Sequence, residues 1–201
     1  MTDEQFCSHV PKLPLIVDLR IIHCHELKCV KNFSPYLRTL HCDECDELVE
    51  LKVDAPNLHY LLYSGDVISL SLNALSLSKI DVKLFCQDFD TQWYLKYVDF
   101  LAKFHRFSEV LNSQISTDED VNNVMVPREL RQILPSPLSS VKHLNLRLSG
   151  EPINFSIKKL LDGLFWISPH TKSISIVYEG FNMASIKVGG FLLGREELLL
   201  F

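Results

Sequence analysis

Apolar residues in the first part of the chain recur at a fixed interval. Four positions that begin at Leu37 return in the same order from Leu58, 21 residues later. The same template fits one interval earlier, from Ile16, and again 19 residues after Leu58, from Leu77. Self-similarity at a fixed period indicates repeats that each bury an apolar side against their neighbours. The pattern therefore predicts similar layers of chain stacked side by side.

Within each repeat, apolar and polar positions alternate over about five residues, which is typical of a strand with one buried face. We expect strands at 17–22, 39–43 and 60–64, with Leu19, Leu40 and Leu61 aligned on neighbouring parallel strands. The form L-x-x-L-x-L-x-x-N/C at this period is the signature of leucine-rich repeats. The predicted fold is therefore an α/β leucine-rich-repeat solenoid. It has a curved parallel sheet, short convex connections in the early repeats and helices in the late ones.

The later part of the chain spaces its strand patterns by about 30 residues. Between them, apolar residues at helical spacing predict amphipathic helices, with Pro127 starting the second and Ser156 capping the third. The expected helices cover 91–104, 128–134 and 156–165, and the expected strands cover 109–115, 141–146 and 171–177. The register near 107–115 stays open, and an apolar residue would be expected where Ser113 stands.

Three regions follow from the repeat pattern: a lead-in over 1–12, a leucine-rich-repeat domain over 13–180, and a terminal partial repeat or tail over 181–201. No capping helix is evident in the lead-in. The tail contains an alternating piece at 185–188 and ends in an apolar run. Because the last layer of such an array needs a polar cover, this apolar end predicts a truncated array.

The residues between the leucine-type positions are expected on the exposed face of the strands, which is the concave binding face of such arrays. Mixed charge and an aromatic residue make this face suited to binding a protein. The candidate partner-binding residues are Asp18, Arg20, Ile22, Thr39, His41, Asp43, Tyr60, Leu62, Ser64, Lys79, Asp81, Lys83, His143, Asn145 and Arg147. The same alternation in the later strands adds Val110, Asn112, Gln114, Ser173, Ser175 and Val177.

Composition narrows the classes of function. With 47% hydrophobic and 22% charged residues, the chain is expected to fold. Its net charge of −5 gives no electrostatic reason to bind nucleic acid or an anionic membrane. The start lacks the regions of a signal peptide, and no run of eighteen apolar residues occurs. We therefore expect a cytoplasmic or nuclear protein that binds neither nucleic acid nor a membrane. In these compartments its six cysteines are expected to be reduced.

Two clusters have the residue types of a zinc site, namely Cys42 and Cys45 with His41, and the segment 23–25. The repeat explains them better, since Cys24 and Cys45 share one template position and Cys42 replaces a core leucine. The sequence contains no glycine-rich phosphate loop, no G-x-S-x-G and no H-E-x-x-H. We therefore expect no metal, no cofactor and no enzymatic activity.

The segment D-A-P-N-L-H-Y-L-L-Y-S-G, the cysteine strand before it and the later V-P-R-E-L-R-Q-I-L-P-S-P-L-S-S-V-K-H-L-N-L-R-L resemble the repeat region of plant F-box/LRR proteins. The resemblance covers roughly 13–180. It implies the receptor part of an SCF-type ubiquitin ligase, which captures proteins for ubiquitin-dependent degradation. The F-box that docks on the Skp adaptor is not in this sequence, so adaptor binding is expected only for a longer form that carries one.

The leading functional hypothesis is a non-enzymatic module that binds a protein target across the exposed strand face. Ubiquitin transfer would be performed by other subunits of the ligase. The alternative is a truncated leucine-rich-repeat paralogue that acts as a scaffold or competitor without any link to a ligase.

Overall fold

Two sheets and four helices make up the part of the chain that the structure describes. The structure, a computed structural model, describes residues 1–13, 15–32, 34–106, 109–151, 156–179 and 184–189. The strands are β1 (Asp18–Ile22), β2 (Cys29–Asn32), β3 (Thr39–Asp43), β4 (Glu50–Asp54), β5 (Tyr60–Gly65), β6 (Ser69–Asn73), β7 (Lys79–Cys86), β8 (Val110–Asp120), β9 (His143–Glu151), β10 (Ser173–Glu179) and β11 (Ala184–Gly189). The helices are α1 (Asp3–His9), α2 (Thr91–Ala102), α3 (Arg128–Ile133) and α4 (Ile157–Ile167), with 3-10 turns at Val10–Lys12 and Val121–Val124.

The large sheet has eight strands in the order β1-β3-β5-β7-β8-β9-β10-β11. Its first seven strands are parallel, and β11 is antiparallel to β10. A second, parallel sheet has three strands in the order β2-β4-β6. The predicted α/β class is confirmed.

The core lies on one side of the large sheet, where the leucine-type positions form continuous rows. Leu19 pairs with Leu40, Leu40 with Leu61, and Leu61 with Ile80 on successive strands. Leu40, Leu61 and Ile80 are fully buried, and Leu19 is nearly so. Each strand thus places alternate side chains into a shared interior, as its period-two pattern predicts.

The early connections contain strands β2, β4 and β6, which the sequence pattern does not predict. In β4 the side chains of Leu51 and Val53 are buried, while Lys52 between them is partly exposed. Alternation over three residues is too short to identify a strand from sequence, because a turn can show the same apolar–polar–apolar order. Pairing of equivalent segments every 19 to 21 residues supplies the missing hydrogen bonds.

The N-terminal residues form a helix, in contrast to the predicted lead-in without one. The side chain of Thr2 accepts a hydrogen bond from the backbone of Gln5, whose side chain accepts one from the backbone of Thr2, and this capping box starts α1. Phe6 is 1% exposed and belongs to the core. Asp3 Oδ1 accepts from the N–H groups of Lys28 (2.8 Å) and Cys29 (3.1 Å), so α1 covers the edge of β2.

The three later helices lie between strands, as predicted. Asp90 caps α2 by accepting from Trp93 N–H, and Ser156 caps α4 by accepting from Lys159 N–H. The alternating piece near 185 was expected to belong to another repeat or a tail, but it pairs antiparallel with β10 as β11. The apolar end over 190–201 lies outside the described residues.

Ser113 is buried at the position where an apolar residue was expected. It lies between Val82 of β7 and Leu146 of β9 and is 4% exposed. Its hydroxyl has no hydrogen-bond partner of good geometry among the described residues, although the Tyr97 phenol is close enough to interact with it. The register that the sequence left open places Ser113 in the core.

We expect Ser113→Ala to raise the free energy of unfolding by about 1 kcal/mol, because a buried hydroxyl without a well-formed hydrogen bond costs about 1–3 kcal/mol. Urea unfolding measures the change. Thr117→Val is the matched control, since the buried Thr117 hydroxyl accepts from Glu119 N–H at 3.0 Å and its loss should lower stability by about 1 kcal/mol. Lower stability in Ser113→Ala would show that Tyr97 bonds Ser113 in solution.

Candidate functional site

The side chains on the large sheet that point away from the core form a surface that we call the polar sheet face. It consists of the candidate residues predicted from sequence, apart from Ser64, together with neighbours on β8 and β10, namely Val110, Asn112, Gln114, Ser173, Ser175 and Val177. Thr39, His41 and Asp43 are partly exposed in β3, and Asp18, Arg20 and Ile22 are exposed in β1. Ser64 differs from the prediction, because it is 2% exposed and offers almost no surface to a partner.

Asp81 is the centre of a hydrogen-bonded network on the polar sheet face. Its carboxylate accepts from the Tyr60 hydroxyl at 2.5 Å and from the side-chain amide of Asn112. Lys79 Nζ lies 3.4 Å from the same carboxylate and 4.8 Å from the centre of the Tyr60 ring. Burial and the hydrogen bond to Asp81 raise the pKa of Tyr60, so its hydroxyl stays protonated and donating.

The hydrogen bonds of this network all run in one donor-to-acceptor direction, towards Asp81. A carboxylate only accepts hydrogen bonds, so Asn112 must present its NH₂ group to Asp81 and its carbonyl oxygen to the next strand. Asn145 donates to that oxygen at 2.7 Å. The hydrogen-bonded network therefore crosses β5, β7, β8 and β9. The side-chain carbonyl oxygen of Asn145 lies at its end and can accept a hydrogen bond from a partner.

His41 contributes an aromatic contact beside this network. Its ring meets the Tyr60 ring edge-on, with 5.2 Å between the centroids. The Nε2 atom is hidden from solvent and has no hydrogen-bond partner among the described residues. The His41 ring therefore acts here as a packing group that supports Tyr60.

Two further ion pairs lie on the polar sheet face. Arg20 lies 3.3 Å from Asp18 and Arg147 lies 2.7 Å from Glu179. These side chains are largely exposed, so each pair contributes little to stability. The pairs hold the charged groups in defined positions on the surface.

Phe85 and Glu179 belong to this face and were missed from the sequence. Phe85 follows Lys79, Asp81 and Lys83 in the alternation of β7 and is 48% exposed. The signal was present, since the alternation of β7 simply continues beyond the template. The repeat template ended too early because β7 is longer than the strands before it.

The cysteines near the first turns are reduced, and the thiol of Cys42 is fully buried between Ile21 and Tyr63. Burial is the main cause that raises the pKa of Cys42, followed by the neighbouring thiols of Cys45 and Cys24. Among the described residues, no three metal-ligating side chains come together to hold an ion.

We expect the free energy of unfolding to fall as pH rises above about 9. Burial raises the pKa of Cys86 from 9.0 to about 12, assisted by the carboxylates of Glu119, Asp66 and Asp88. The folded protein thus binds the Cys86 proton more tightly than the unfolded chain does. The contribution of this thiol to the free energy of unfolding is therefore full below pH 9 and is lost between pH 9 and about 12. Unfolding in urea at several pH values measures the slope.

Cys86→Ala should flatten that decline, whereas Cys7→Ala should leave it unchanged because Cys7 is exposed. An unaltered slope in Cys86→Ala would contradict this assignment.

The chain matches no family model, and neither a curated protein nor a solved structure matches it. Within the described part of the chain, no helix has the length and apolar composition needed to cross a membrane.

Proposed function

We propose that the protein is a leucine-rich-repeat solenoid that binds a protein target across the polar sheet face and performs no chemistry of its own. The observation that carries the proposal is the regular stacking of equivalent strands, with Leu19, Leu40 and Leu61 in one buried row. A solenoid built this way leaves one strand surface free along its whole length.

The composition of the polar sheet face supports a protein partner. Tyrosine and arginine side chains contribute most to the affinity of protein interfaces, and this face presents Tyr60, Arg20 and Arg147. The Asp81 network holds Tyr60 and Asn112 in place before binding. Side chains that are already ordered lose less conformational entropy when a partner binds.

The link to protein degradation rests on the resemblance to plant F-box/LRR proteins and is part of the proposal. In this role the polar sheet face selects the target, and the ubiquitin-transferring subunits join through an adaptor in a longer form. The alternative is a scaffold or competitor that binds the target without them. A pull-down of a longer form with the Skp adaptor separates the two.

Replacing Arg20, His41 and Tyr60 by alanine should weaken target binding by at least about 2 kcal/mol, or thirtyfold, because aromatic and arginine anchors dominate interface energetics. The folded state should survive, since these side chains are at least partly exposed. The target is first captured by the intact protein and identified, and its dissociation constant is then measured for each variant.

The matched control carries alanine at Lys31, Lys52 and Ser71. These residues lie on the outer face of the small sheet. These changes should leave the dissociation constant within about twofold. If the target binds the Arg20, His41 and Tyr60 variant with unchanged affinity, the polar sheet face is not the binding site.

A further inference from the structure

The residues that precede the seven parallel strands form one row in which basic side chains outnumber acidic ones. In strand order they are Val17, Arg38, His59, Ser78, Glu109, Lys142 and Lys172. Backbone hydrogen bonds join Arg38 to His59 and Lys142 to Lys172, so these residues occupy equivalent positions at the same edge of the large sheet. Glu109 is the acidic member of this row and is paired with Lys142. We call Arg38, His59, Lys142 and Lys172 the basic rim.

The other ends of the same strands are acidic. Exposed or partly exposed carboxylates follow β3, β5 and β7 and occupy the last residues of β8. We call this set the acidic rim: Glu44, Asp46, Asp66, Asp88 and Glu119. Lys96 faces Asp66, and the imidazoles of His23 and His25 lie 2.8 and 2.7 Å from the carboxylates of Glu44 and Asp46.

Titratable groups at each rim respond to the local charge. At the basic rim, Lys142 lowers the pKa of Glu109, with smaller contributions from His143 and Lys172. At the acidic rim, burial raises the pKa of Asp66, and the neighbouring Asp46 carboxylate raises it further. The placement of the charged residues gives the two ends of the strands opposite charge, positive at the basic rim and negative at the acidic rim.

The rims are far enough apart to act separately. The six residues of β5 at about 3.3 Å each span about 20 Å. This exceeds the screening length of about 8 Å at physiological ionic strength. A ligand group near one rim thus experiences that rim and little of the other.

We propose that the partner segment bound on the polar sheet face has its charge divided in the opposite sense and lies along the strands in one orientation. Its acidic part lies over the basic rim and its basic part over the acidic rim. The inference rests on the proposed function and adds the charge pattern and direction of the partner. Complementary potentials of this kind select partners and fix their orientation more than they add affinity.

Two synthetic peptides of identical composition test the proposal. The block peptide has three glutamates, Gly-Ser-Gly and three lysines, so its charged blocks are centred about 20 Å apart when extended. The other peptide alternates glutamate and lysine on both sides of Gly-Ser-Gly. At 20 mM salt the block peptide should bind at least about tenfold more tightly, and this preference should disappear at 0.5 M salt.

A variant with Arg38→Gln, Lys142→Gln and Lys172→Gln should lose the preference for the block peptide. The control variant Lys31→Gln, Lys52→Gln and Lys159→Gln removes the same charge from positions away from the strand starts and should keep it. Equal binding of the two peptides, or no binding of the block peptide at 20 mM salt, would overturn the proposal.

A nitroxide on the acidic end of the block peptide reports the orientation. It should broaden the amide NMR signals of residues 38, 59 and 142 and spare those of 66 and 88. The reverse pattern, or equal broadening at both rims, would also overturn it.

The captured target distinguishes this inference from the proposed function. If target binding is lost in Tyr60→Ala but unaffected by the basic-rim variant, the charge inference is wrong and the binding face stands. If target binding survives in Tyr60→Ala, His41→Ala and Arg20→Ala together, the proposed function itself is wrong.

Discussion

Leu61→Ala should lower the free energy of unfolding by about 3–4 kcal/mol, because it removes a fully buried side chain and leaves a cavity between two strands that cannot close freely. Leu61 lies between Leu40 of β3 and Ile80 of β7 in the buried row. Since single domains are stable by about 5–15 kcal/mol, this change removes a large part of the total. Thermal and urea unfolding both measure it.

Leu62→Ala is the matched control, because Leu62 is the next residue of the same strand and lies half-exposed on the polar sheet face. Its replacement should cost less than about 1 kcal/mol of stability and should weaken target binding instead. Equal losses of stability in the two variants would contradict the assignment of opposite faces to neighbouring residues of β5.

Phe6→Ala should lower the free energy of unfolding by about 3 kcal/mol, because Phe6 is the buried residue of α1 and lies 1% exposed in the core. Without this anchor, α1 should detach from β2, since a seven-residue helix is not stable alone. Hydrogen exchange at the amides of Lys28 and Cys29, which donate to Asp3, should then become faster.

Asp3→Asn separates packing from hydrogen bonding at this edge. An asparagine keeps an acceptor oxygen, so stability should change by less than about 1 kcal/mol. If Phe6→Ala leaves both stability and exchange at residues 28 and 29 unchanged, α1 does not cover the edge of β2 in solution.

The buried rows could be predicted from sequence because two signals agree there. Leu40 and Leu61 recur at a fixed period and also alternate with polar neighbours, so a single register satisfies both. A shift by one residue would expose every leucine of the strand. For this reason the bounds Thr39–Asp43 were predicted without error. The bounds of α2 were predicted to within two residues from apolar residues at helical spacing.

The parts that were not predicted depend on contacts distant in sequence. Helix α1 has one large apolar residue, Phe6. The sequence of α1 does not show that the Phe6 side chain packs into the hydrophobic core. The small sheet needs pairing between segments that look like turns when taken singly. A capping box at Thr2 and Gln5 was the available signal for α1.

The candidate site was predicted as a set of positions but not as a network. Alternation places Tyr60 and Asp81 on one face, yet the two residues are bonded only because β5 and β7 pair in one particular register. That register puts Lys79 opposite Tyr60, and Asp81 opposite Leu62 two residues further along. Ser64 was placed on the exposed face by alternation but is buried. Alternation alone does not show that neighbouring side chains cover a small residue.

The most direct test of the central claim, that the protein binds its target across the polar sheet face, is hydrogen exchange and carboxyl or lysine footprinting of the protein alone and in complex with the captured target. The account predicts protection of Lys79, Asp81 and Lys83 and of the β5–β9 strand amides in the complex, with Lys31 and Lys52 equally reactive in both states. Protection confined to the small sheet or to the exposed sides of α2 and α4 would contradict it.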